Sequence, residues 1–304
     1  MVLKKIYLIL FVFLACPFFV FSWNGGSPIT ADPKVILDYP QERWRDSRYE
    51  VFRWDSFPSI IVFDTENYKV QNDLFKRLAF FVEKSGFRGR LATNREIDLL
   101  HGWNAHDYRA EDLARFFEEA RRTQFALNWE EGELAEILLA TGIIHRNMKG
   151  EFVAGVGSVL SISRESPTYL RYRFMVHEGF HGIFFIDEDF RNFSKQRFDN
   201  LSPQAKRFII AFFNFQGYDT ADPYLVVNEF MAHILQQSVS QAGEYFGKTL
   251  PSRIASSRHY ASLPAKDNDT DSYPYLARAF QAEAQAFSNY VNQRWGLSAG
   301  RVWK

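Results

Sequence analysis

The sequence predicts an α+β protein, with a small sheet early in the chain and a mostly helical C-terminal half. Three observations predict it. Short runs rich in β-branched residues, at 59–63 and 152–163, read as strands. Segments with apolar residues at helical spacing recur along the chain and dominate after residue 166. The 304 residues are 46% hydrophobic and include 31 Phe, enough for a sizeable core in one large domain or two lobes.

Taken in order, residues 1–22 read as a signal peptide. Lys4 and Lys5 precede an apolar run over 6–21, and Ser22 supplies the small residue before the cut. The apolar run is short for a membrane span, yet left uncleaved it would attach the chain to a membrane. Phe13-Leu14-Ala15-Cys16 also resembles a loose lipoprotein box. A cut after Ser22 leaves no cysteine, so stability must come from packing and metal rather than disulfides. The short two-lysine start looks bacterial, which points to export to the periplasm or cell surface. Residues 23–150 form an N-terminal α/β region. Within it 23–57 look irregular, 59–63 reads as a buried strand, and 68–84, 110–122 and 129–140 read as helices. Residues 142–145 pair as a hairpin with the strand that follows 147–150.

Residues 151–304 form the second region. The strand ending at Ser163 leads to a helix capped by Ser166, with Pro167 in its first turn. Asp187-Glu188-Asp189 reads as a turn after it. Ser202 caps a helix over 203–215, Asp222-Pro223 opens one over 223–238, and 275–295 forms a long closing helix. Asp267 to Ser272 briefly mimics a calcium loop, but Ser272 replaces the required glycine and Arg278 the bidentate glutamate, so it reads as a solvated loop. Basic and acidic residues balance at 36 each, so no field draws nucleic acid. No repeat, P-loop or dinucleotide fingerprint is present.

The chemistry concentrates in His177-Glu178-Gly179-Phe180-His181, an H-E-x-x-H run. With 7 His in the chain, chance supplies about 0.01 such runs. On a helix the two histidines share a face and can hold one metal ion, Zn2+, while Glu178 stands beside it as a base for a water. The alternative is a pair of hydrogen-bonded core histidines. Gly179 and Gly182 weaken the helix and imply a close approach by a neighbour. Downstream, Asn228-Glu229-Phe230-Met231-Ala232-His233 places Glu229 and His233 on one face of an apolar helix, where uncompensated polar groups are costly.

Here the chain resembles the gluzincins, the thermolysin-like clan of zinc peptidases, which pair an H-E-x-x-H helix with a second helix carrying a glutamate ligand. The resemblance covers about residues 150–240 and is clan-level. It implies a zincin-like fold in which the strand before the motif helix is an exposed edge that binds the substrate backbone. By position it makes Glu229 the third ligand. His233 falls where thermolysin-like members carry an aspartate that orients the first histidine, which leaves open whether His233 orients or ligates. It also implies a Tyr or His donor to the oxyanion: His259 is the first choice, ahead of Tyr218 and Tyr224. His101, His106 and His145 are expected to be structural or at the surface. The expected activity is therefore zinc-dependent hydrolysis of peptides or proteins. The rivals are a non-catalytic exported zinc-binding or envelope interaction protein, and an envelope-anchored scaffold whose histidines are merely core.

Overall fold

A computed structural model describes residues 26–255 and 273–304. The chain opens with strand β1 (Ile29–Ala31), helix α1 (Pro33–Asp38) and strand β2 (Tyr49–Trp54). The region expected to be irregular therefore holds two strands and a helix, with a 3-10 turn at Gln41–Arg43 between α1 and β2. Asp32 caps α1 by accepting from the Lys34 N–H at 2.8 Å, and Pro33 fills the first turn. Strand β3 (Ile60–Thr65), helix α2 (Tyr68–Val82), the short α3 (Asn94–Ile97), strand β4 (His106–Arg109), α4 (Ala110–Thr123) and α5 (Trp129–Thr141) follow. Strands β5 (Ile144–Arg146) and β6 (Phe152–Ala154) form the expected hairpin, and β7 (Ser158–Ser163) leads to helix α6 (Thr168–Ile186).

The five-stranded sheet runs β1-β2-β3-β7-β4. Strands β1 and β2 are parallel, as are β3 and β7; β2–β3 and β7–β4 are antiparallel. Strand β7 is thus interior, not the expected edge: β4 pairs along its free side and is itself the edge. The residue-150 division falls inside this sheet, since β7 lies between β3 and β4. Every residue of β3 and β7 is buried, because helices cover both faces. Ile61, Phe63 and Val159 meet α2, α4 and α5 on one side. Ile60, Val62, Leu160 and Ile162 meet α6 and the C-terminal helices on the other.

Helix α6 begins one residue later than the sequence suggests. Pro167 is its cap residue, and the Ser166 hydroxyl instead pairs with Tyr68 Oη at 2.7 Å. Asp187, expected in a turn, closes α6 and at once caps α7 (Glu188–Asp199), accepting from the Phe190 N–H at 2.7 Å. Then come α8 (Pro203–Gln216), α9 (Pro223–Leu235), α10 (Val239–Glu244), a π-helical turn Tyr245–Thr249, α11 (Leu250–Ile254) and the closing α12 (Pro274–Trp295). No helix among the described residues is long and apolar enough to cross a membrane. The signal-peptide reading of 1–22 and the loop at 267–272 lie outside the described residues.

Two features hold α6 against the sheet. Arg171 in its first turns reaches the fully buried Asp64 of β3 at 2.8 and 3.1 Å, and Arg164 meets the same carboxylate at 2.6 Å. The glycines give the close approach that their presence implied. A Cβ on Gly182 would lie 3.0 Å from Ile60 Cδ1, and one on Gly179 3.3 Å from Val302. Asp64→Ala strands Arg171 in a dry interior and is expected to lower stability by about 3–5 kcal/mol, measured by denaturant unfolding. A loss below about 1 kcal/mol would show that α6 is held by apolar packing alone.

Candidate metal centre

Three elements converge on one polar spot. Helix α6 supplies His177 and His181 from one face, four residues apart, and Glu178 beside them. Helix α9, buried from Leu225 through Leu235, supplies Glu229 and His233. Its start follows from Asp222, which accepts from the Tyr224 N–H at 2.9 Å, and from Pro223. Strand β4 supplies Asp107.

The ring nitrogens His177 Nε2 and His181 Nε2 lie 3.1 Å apart. His177 Nε2 lies 3.7 Å from Glu229 Oε2, and His181 Nε2 lies 3.7 Å from the other oxygen, Oε1. Three atoms each about 2.1 Å from one tetrahedral ion stand about 3.4 Å apart, so this donor set fits a small divalent cation. Glu229 Oε2 is buried and meets no hydrogen-bond donor among the described residues. In the absence of an ion, one imidazole can donate to the other, which is the bland alternative for the pair.

His233 stands beside this trio. Its Nε2 is 3.9 Å from Glu229 Oε2, and its ring meets that of His177 edge to face at 5.0 Å. Its Nδ1 is held at 2.8 Å by the Gln236 amide, which also donates to Tyr245 Oη at 2.7 Å. Among the described residues, the groups compact enough to hold a metal are His177, His181 and Glu229, and a second set of Asp107, Glu178 and His181.

Burial sets the protonation states. It pushes His177 down to about 4 and His233 well below the usual imidazole range, so both rings are neutral, the form that ligates. Burial pushes Glu229 up to about 7, against the opposing pull of His181. Glu178 is raised well above the usual carboxylate range, first by burial and then by Asp107. Glu83, whose carboxylate accepts from Trp103 Nε1 at 2.6 Å, is raised by burial and by Asp107 and Glu229.

The spot opens on a cleft of about 470 Å³ lined by His177, Glu178 and His233 together with Glu83, Asp107 and Tyr218. Of the residues considered for the oxyanion, Tyr218 is brought to the cleft, where its ring stacks on Trp103 at 5.2 Å. Its hydroxyl bears on Glu229, drawing that carboxyl down against burial. Tyr224 stands apart, its ring under the Arg109 guanidinium at 4.5 Å. His259 lies outside the described residues. His106 is a packing residue, stacked on Phe75 and bonded to Tyr108 Oη at 2.8 Å. His145 is exposed, and His101 is exposed at the cleft wall.

The sequence reading missed Asp107 and Glu83. Asp107 sits in a four-residue strand, His106-Asp107-Tyr108-Arg109, that alternates buried and half-buried but carries no β-branched residue. Glu83 ends a helix whose polar positions otherwise look solvated. Compared with protein-family models, with curated proteins and with solved structures, the chain matches none.

These protonation states predict a pH limit for metal binding. A carboxyl must lose its proton to ligate, and Glu229 holds it up to about 7 while His177 is proton-free down to about 4. Zinc affinity should therefore weaken about tenfold per pH unit below pH 7 and level off above it, as read by titration calorimetry across pH. Glu229→Gln should bind more weakly and lose that slope. A wild-type affinity flat from pH 5 to 8 would contradict the role of Glu229.

Proposed function

We propose that this chain is a zinc-dependent peptidase of gluzincin type, exported if residues 1–22 act as a signal peptide. The observation that carries the reading is the His177–His181–Glu229 cluster, whose imidazole Nε2 atoms lie 3.1 Å apart and each 3.7 Å from one of the two Glu229 oxygens, with Glu178 beside it on an open cleft. Two imidazoles and one carboxylate, with space left on the cleft side, suit a hydrolytic zinc site better than a closed structural one. A bound Zn2+ would supply Lewis acidity to a carbonyl oxygen and make a nearby water more acidic.

The chain's own groups do the rest. Glu178 takes a proton from the attacking water and returns it to the departing amine. Its carboxyl is raised by burial, and a cation placed beside it would restore the basic form. The Tyr218 hydroxyl donates to the developing oxyanion. Strand β4 offers a place for the substrate backbone. The Ala110 N–H bonds Gly157 O at 3.1 Å, and ladder alternation from that pair turns the N–H and C=O of Asp107 and Arg109 away from β7. An extended peptide adding to that edge would run along the cleft.

A non-catalytic zinc-binding protein is the second reading, and it rests on His233. Its position 3.9 Å from Glu229 would let a ring rotation close the site with a fourth protein ligand. Glu178→Gln separates the two readings. The variant should keep its zinc and lose hydrolysis of a mixed peptide pool by a factor of about 100 or more, followed by mass spectrometry. Wild-type protein that binds zinc but cleaves nothing favours the non-catalytic reading. Hydrolysis equal in variant and wild type removes Glu178 as the base.

A further inference from the structure

The cleft carries groups of both charges. Glu83, Asp107 and Glu178 line it near enough to act on one another, while Arg173 and Arg253 are the only lysines or arginines among its described lining residues. Arg173 lies four residues before His177 on α6, hence on the same face and about 6 Å along the axis. Arg253 reaches the cleft from α11, which packs against the turn carrying Tyr245. Leu170 and Phe174 of α6 line the same cleft, so part of its wall is apolar.

Neither arginine meets a carboxylate within 4.0 Å among the described residues. The other arginines nearby differ. Arg164 and Arg171 hold Asp64, Arg197 holds Glu283, and Arg294 holds Asp187. Both guanidinium charges bear on the Tyr245 hydroxyl, pulling it down against burial, and Arg253 bears on His233 as well. Two cations thus line the cleft beside Tyr245, one on the helix that carries His177 and one on α11, and neither pairs with a carboxylate of the described chain. A planar guanidinium pair is well shaped for a carboxylate, and a partly desolvated cleft strengthens such a contact.

We propose that Arg173 and Arg253 form a subsite for a substrate carboxylate, selecting peptides that carry one within about two residues of the bond held at His177. The carboxylate has two sources, a free C-terminus or an Asp or Glu side chain. This inference rests on the peptidase reading for its substrate, but binding can be measured apart from cleavage.

The test uses the full chain loaded with zinc and carrying Glu178→Gln, so that peptides bind without turnover. Two pairs of N-acetylated apolar tetrapeptides are titrated. One pair differs as free acid against C-terminal amide; the other, amidated throughout, differs as Glu against Gln. At least one charged member should bind about tenfold tighter than its neutral twin. That preference should vanish in Arg173→Gln/Arg253→Gln and return in part in Arg173→Lys/Arg253→Lys. Preference in the first pair assigns the subsite to a chain end, and in the second to an acidic side chain. Equal binding within both pairs, no binding of any peptide, or a preference that survives the double Gln variant overturns the inference. A preference that holds while the protein with Glu178 intact cleaves nothing sinks the peptidase reading and leaves the subsite standing.

Discussion

The site depends on a crowding of carboxyl groups that meet no lysine or arginine within 4.0 Å among the described residues. Glu83, Glu178 and Glu229 are all under a tenth exposed, and Asp107 stands close enough to perturb each of them. Three anions in a dry interior are strongly unfavourable, so the protein must hold protons there or hold a cation. The raised carboxyl groups describe the first solution. The cluster of His177, His181 and Glu229 is shaped for the second. That arrangement needs rigid walls, and they come from helix α6, tied to the sheet by Arg171 on Asp64 and drawn close by Gly179 and Gly182. A helix held this firmly sets the two imidazole nitrogens 3.1 Å apart.

Sheet topology explains how the remaining groups arrive. Because β7 is interior, the strand that borders the cleft is β4, and it does two things at once. Its half-buried side chains bring Asp107 to Glu178 and His181, and its unpaired edge faces outward. One carboxylate of the acidic cleft lining, Asp107, and the free backbone edge thus belong to the same strand. The same cleft is also lined by Arg173 and Arg253, so it offers groups of both charges.

Much of this was legible in the sequence where a local rule had enough residues to act on. The motif spacing placed His177, Glu178 and His181 together, and Asp222-Pro223 announced the helix that brings Glu229. The same Asp-Pro signal stands at Asp32-Pro33 and opens α1, inside a stretch that looked irregular because its elements are only three to six residues long. Asp187 misled for a different reason. An acidic run after an apolar helix suits a turn, but it suits the first turn of a following helix equally, and only the Phe190 N–H bond decides. Strand order was out of reach: β4 inserts beside β7 through pairing about 50 residues apart, which no periodicity records. The interior place of β7 follows from that one insertion.

The most direct test of the account is the metal content of the purified full chain, measured by elemental mass spectrometry beside His177→Ala. The account predicts close to one zinc per chain in the wild type and almost none in the variant, with both folded by circular dichroism. A folded wild type that takes up no zinc after reconstitution at pH 8 would contradict it. The two histidines would then be a hydrogen-bonded core pair, and the buried carboxyl groups would simply be held as acids.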